Sequence, residues 1–214
     1  MSSFLRPTQF RLVEEEVENL ITLYGENFHS ISSPPVPVEM IAERQLDLHC
    51  LITEELKSGV LGVLLIENKQ ILINQECSKN QYYFTIAHEI GHWYLHRTQS
   101  KDNKFVDTAQ TVTSLMRSQN LKGQSKRTSQ QEIEANRFAA ALLIPMSLLK
   151  PLITNQQTVS APEVINLANT FQTSVLTMLY RVRYLKKYNE LLDLRIDQLS
   201  LDTLEARERM SYQL

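Results

Sequence analysis

The sequence predicts an α+β protein, a small antiparallel sheet packed on helices and followed by a C-terminal helical extension. Three observations predict it. Apolar residues recur at helical spacing near both ends of the chain, and the period changes to alternation and short apolar runs between Leu46 and Ile73. Between them and the C-terminal helices lies the stretch Thr85-Ile86-Ala87-His88-Glu89-Ile90-Gly91-His92-Trp93, apolar nearly all round a helix except where its two histidines fall.

With 214 residues and 43% hydrophobic content, the chain can bury one good core and carry a small helical appendage. Its net charge of −2 supplies no global field for nucleic acid or anionic lipid. The start, Met1 to Pro7, leads into an acidic amphipathic stretch instead of an apolar signal segment. The longest apolar run, Phe138 to Ile144, is far shorter than the roughly 18 residues of a membrane span. A soluble cytoplasmic protein is expected. Two cysteines, Cys50 and Cys77, are too few for a disulfide framework and are read as buried free thiols.

In chain order, Pro7 suits a first helical turn, and Phe10, Val13, Val17, Leu20, Ile21 and Tyr24 share one face, so a helix is expected from 7 to 24 with Gly25 ending it. Ser30 to Pro37 is a stiff connector. Val38, Ile41 and Ala42 give a short second helix. Leu46, Leu48, Cys50 and Ile52 alternate with more polar neighbours as in a half-buried strand. Val60 to Ile66 and Ile71 to Ile73, separated by Glu67-Asn68-Lys69-Gln70, read as a hairpin.

Three strands thus lead to the helix bearing His88 and His92. Residues four apart on a helix stand one above the other, so both imidazoles can reach a single Zn²⁺. Glu89 points beside the metal, where it can take the proton of an attacking water as general base. His96 extends the row by another four residues, but its backbone lies about 12 Å along the axis from His88, too far for one ion. It is read as a cation favoured by the helix C-terminus. A third ligand must come from elsewhere; His29 and His49 lack an acidic partner at ligand spacing and are left out.

From Thr98 to Gln130 the chain turns polar, as in a lid or binding loop, and its basic run Lys122, Lys126, Arg127 reads as solvated loop. Gln130 to Ile144, stopped by Pro145, is the next helix. Its apolar arc centres near Glu132 and Asn136, while Glu134 and Arg137 face away. A metal ion is one of the few partners that removes the cost of a buried carboxylate, which makes Glu132 the candidate third ligand; a buried salt bridge is its plainer alternative. Asn136 is placed to bond the free ring nitrogen of a ligand histidine, or else serves as a structural amide. Glu134, on the solvent face, is expected to be dispensable.

The paired stretches Phe84 to His92 and Glu132 to Pro145 resemble the two signatures of the ImmA/IrrE metallopeptidases, over roughly Val38 to Pro145 and more weakly to Leu185. The resemblance implies a minimal zincin fold of the gluzincin type, with zinc held by His88, His92 and Glu132. It also implies a proteolytic anti-repressor that cuts helix-turn-helix repressors and so releases stress-response or mobile-element genes. The peptide substrate is expected to lie extended against an edge of the Val60 to Ile73 hairpin, where main-chain pairing holds a strand without demanding one sequence.

Beyond Pro145, Ser160-Ala161-Pro162-Glu163 fits a capping box. Val164, Leu167, Ala168 and Phe171 form one helix, and Val175, Met178, Leu179, Val182 and Leu185 another, a pair like a helix-turn-helix. Arg181, Arg183, Lys186 and Lys187 make its second member basic; a packing or repressor-docking role is favoured over DNA reading. Leu191 to Met210 is a charged amphipathic tail that either packs back or dimerises. The expected organisation is a metallopeptidase domain over 1–150 and a helical extension over 151–214. The alternative function is a non-proteolytic, zinc-stabilised regulator that binds a repressor, or DNA through its C-terminal helices; a purely structural zinc, however, is more often closed by four protein ligands and has no use for Glu89.

Overall fold

The computed structural model describes residues 7–100, 102–108, 126–153, 158–188 and 195–211. The expected α+β class is found. Helix α1 (Pro7–Asn27) buries Val13, Val17, Leu20, Ile21 and Tyr24. It runs through Gly25 instead of stopping there: a lone helical glycine costs only about 1 kcal/mol, and the added turn brings the ring of Phe28 within 5.2 Å of Tyr24. The short α2 (Val38–Met40) passes directly into a π-helical turn, Ile41–Gln45, with Ile41 and Ala42 buried.

The sheet has four strands, β1 (His49–Thr53), β2 (Val60–Leu65), β3 (Gln70–Asn74) and β4 (Lys104–Thr108), in the order β1-β3-β2-β4. It is mixed, not wholly antiparallel, because β1 runs parallel to β3, with Cys50 opposite Ile71. Strands β2 and β3 take the interior positions, with Leu64, Ile71 and Ile73 completely buried. The expected alternation in β1 fails at its far end, where Ile52 is 65% exposed, as an edge strand permits. Both edges of the β2–β3 hairpin are already paired, one by β1 and the other by β4, so neither is open to a peptide. Strand β4 comes from the polar stretch that reads as loop; only five residues long, it offers little period to detect.

Helix α3 (Lys79–His96) begins at a capping box in which the Gln81 backbone N–H donates to the Ser78 hydroxyl and the Ser78 N–H to the Gln81 side chain. It lies against the sheet on one side and against α4 (Lys126–Leu143) on the other. Gly91 makes that second contact possible: a Cβ there would stand 2.9 Å from the Ala135 carbonyl oxygen and 3.0 Å from its Cα. Helix α4 starts four residues before the expected Gln130, so Lys126 and Arg127 belong to its first turn; Lys122 lies outside the described residues.

Helices α5 (Met146–Ile153), α6 (Ala161–Phe171), α7 (Val175–Tyr188) and α8 (Gln198–Ser211) complete the fold. The capping box at Ser160 and Glu163 forms as expected, and α8 packs back on α6 and α7 through Leu201 and Leu204. The basic residues of α7 are partly consumed inside the molecule. Arg181 is buried, donating from Nε to the Ile144 carbonyl at 3.0 Å and pairing with Glu14. Arg183 pairs with Asp202 and Glu205. Packing thus accounts for both arginines that gave the helix its nucleic-acid look.

Candidate metal centre

Helix periodicity on α3 carries His88 and His92 to the same side, and α4 brings Glu132 against them, all three buried. His88 Nε2 lies 3.4 Å from Glu132 Oε2, and His92 Nε2 lies 3.4 Å from Glu132 Oε1. One donor atom from each residue falls within 4.8 Å of the others, a set that could hold a metal ion. The spacing suits a divalent metal: ligand bonds of about 2.0–2.1 Å at tetrahedral angles put neighbouring donors about 3.3 Å apart. The chemistry agrees, since His88 Nε2 and Glu132 Oε2 are buried with no hydrogen-bond partner among the described residues.

Each histidine is held from behind by its other ring nitrogen. His88 Nδ1 lies 2.8 Å from Asn136 Oδ1, so its N–H donates to that amide oxygen and leaves Nε2 facing Glu132. His92 Nδ1 lies 3.2 Å from His96 Nδ1, and His96 Nε2 lies 3.0 Å from Glu134 Oε2. His96 lies in the last turn of α3 as expected, but it is 1% exposed, between His92 and Glu134. Glu134 does not simply face solvent; three-quarters of its side chain is covered, and Gln130 Nε2 donates to its other oxygen at 2.7 Å. The helical wheel separated Glu134 correctly from Glu132, but it could not show that the far end of α3 would fill the space beside it.

Glu89 is fully buried with no hydrogen-bond partner for either carboxylate oxygen among the described residues. It fits beneath the sheet because β2 has a glycine there: a Cβ on Gly62 would lie 3.3 Å from Glu89 Oε1 and 2.3 Å from Thr85 Cγ2. Opposite Gly62, across an irregularity in the β2–β4 pairing, stands the buried Asp107. Two residues earlier on the same face of β4, Phe105 stacks on the His92 ring at 4.2 Å with 13° between planes. The sequence reading missed Gly62, Phe105 and Asp107. A lone glycine in an apolar run marks a close approach, but nothing local says what approaches.

Burial holds Glu89 well above the usual carboxylate range; the charge of His88 opposes this, while Asp107 and Glu132 reinforce it. Burial would lower His88, yet the carboxylates of Asp107, Glu132 and Glu89 push it up to about 10. His92 goes the other way, to about 4, mainly because burial and the neighbouring His88 charge outweigh Glu132. Burial would raise Glu132, but His88 and His92 hold it at about 2. Without metal, therefore, a proton on His88 is the cation that balances this cluster of acids.

A Mycobacterium tuberculosis transcriptional regulator of known structure resembles the chain with a TM-score of 0.54 and 13% identity, over 79% of this chain and 46% of that one. At that identity the likeness speaks for the fold alone, and the chain spans less than half of that protein's length. No curated protein matches the chain. A match to the peptidase family described as the IrrE N-terminal-like domain runs over residues 34–183, from the connector before α2 through the helices that carry His88, His92 and Glu132 and most of α7, and the chain belongs to that family.

Proposed function

We propose that the protein is a zinc endopeptidase whose substrate is a helix-turn-helix repressor. The observation that supports it most is the pairing of three buried donors around one point with a buried carboxylate, one residue from the first of them, that has no hydrogen-bond partner among the described residues. His88, His92 and Glu132 would hold the zinc, leaving a fourth position open, and Asn136 would fix the His88 tautomer. The metal would supply Lewis-acid polarisation of the scissile carbonyl and acidify water. Glu89 would take the proton of the attacking water and return it to the leaving amine. Gly62 gives that carboxylate its room, and Phe105 shields the His92 side from solvent.

Since the hairpin edges are paired, the edge strand beside the site among the described residues is β4, whose Val106 is exposed, and its outer edge would take the peptide. The repressor assignment rests on family membership and is compatible with the neighbour's description as a transcriptional regulator. Glu89→Gln tests the proposal: zinc content should be retained and cleavage of the repressor, followed on a gel, should vanish. Cleavage that survives would remove Glu89 from its role. Stoichiometric repressor release by the inactive variant would favour capture over proteolysis.

A further inference from the structure

The three histidines of α3 are spaced four apart, yet only two of them approach Glu132. The third is tied into a chain whose hydrogen-bond directions can be assigned. A carboxylate only accepts, so Glu134 Oε2, at 3.0 Å, requires the proton of His96 on Nε2. In a neutral His96 the remaining nitrogen, Nδ1, is then an acceptor, and the 3.2 Å contact requires His92 to carry its proton on Nδ1. That leaves the His92 Nε2 lone pair directed at the side where Glu132 lies 3.4 Å away. The opposite tautomer of His92 would turn an Nε2–H towards Glu132, leaving no lone pair there for a metal, and would need an imidazolium at His96 beside Glu134 Oε2.

Gln130, one turn before Glu134 on α4, donates to the other oxygen of the same carboxylate at 2.7 Å and fixes its orientation. Helix α4 therefore reaches His92 from both ends: Glu132 at Nε2, and Glu134, two residues on, through His96 at Nδ1.

We infer that His96 and Glu134 are positioning residues that hold His92 in its Nδ1–H tautomer and so keep Nε2 ready for the metal. The inference rests on the metal-site reading above. A histidine that merely filled space would leave the His92 tautomer and the metal affinity indifferent to Glu134.

Two measurements on the full chain test it: zinc affinity by competition with a chromophoric chelator, and the ring ¹⁵N shifts of His92 in the metal-free protein. Glu134→Ala and His96→Ala should each weaken zinc by about 10- to 100-fold, the usual effect of removing a ligand's supporting partner. Both should also move the His92 nitrogens from a single Nδ1–H pattern towards a mixture. Glu134→Gln, which keeps an acceptor for His96, should recover most of the affinity and the wild-type pattern; being partly exposed, it also guards against a folding defect. Unchanged affinity and unchanged shifts in Glu134→Ala would overturn the inference. If the wild type bound no zinc, the metal reading would fall, while the His92 shifts would still decide the relay.

Discussion

His88 and His92 sit one turn apart on the same helix and face the same carboxylate, yet the protein treats them oppositely. His88 leans on one neutral amide, Asn136, and is surrounded by Asp107, Glu89 and Glu132, so its proton is held up to about 10. His92 leans on a histidine backed by a carboxylate and is covered by the Phe105 ring, and its proton is released down to about 4. Identical residue types at ideal ligand spacing thus divide the work. One stores the cation that keeps the metal-free acids tolerable, and the other is already the neutral donor a metal requires.

The sharpest way to break this arrangement is to remove what the two share. Glu132→Ala should cost more zinc affinity than the about 10- to 100-fold of any supporting residue, because it deletes a donor common to both histidines. Zinc per protein after dialysis against a mild chelator measures it, and full retention would exclude Glu132 as a ligand.

Removing one support at a time is next. Asn136→Ala should weaken zinc by about 10- to 100-fold. Combined with Glu134→Ala, it should give roughly the sum of the two free-energy losses, since the residues support different ligands; strong non-additivity would mean that the two sides act as one network.

Gly91→Ala should disturb both sides together, because its new methyl meets the Ala135 backbone at 2.9–3.0 Å and α3 and α4 must part. A loss of about 1–3 kcal/mol in denaturant unfolding is expected, as for other overpacked contacts. A stability within error of wild type would show that the helices can separate freely.

The smallest effect concerns protons. His88 is raised from its ordinary 6.5 to about 10, so its contribution to metal-free stability is full below pH 6.5 and disappears as the pH rises through 10. His92, lowered to about 4, contributes fully above pH 6.5 and loses that contribution as the pH falls through 4. The melting temperature of the metal-free protein should therefore fall on either side of neutrality. Zinc uptake at pH 8 should release at least about one proton, that of His88. Calorimetry in two buffers of different ionisation enthalpy reads that number; zero would place the stored proton elsewhere.

Much of this protein is determined by short-range pattern. The spacing of His88, Glu89 and His92, the apolar arc that turns Glu132 and Asn136 inward, and the capping box at Ser160 all follow from helix periodicity, which acts within one or two turns and needs no knowledge of the partner. What only the tertiary structure decided is which distant groups meet. A parallel β1, a fourth strand on the edge expected to receive substrate, Asp107 beside His88 and Phe105 on His92 come from pairings between segments far apart in the chain. Glu134 and His96 show the limit most clearly. Each was placed on its own helix by periodicity alone, one as a solvated carboxylate and the other as an end-capping cation. Their environment was set instead by the close crossing of α3 and α4 that Gly91 permits, which brings His96 Nε2 to 3.0 Å from the partly covered Glu134 carboxylate.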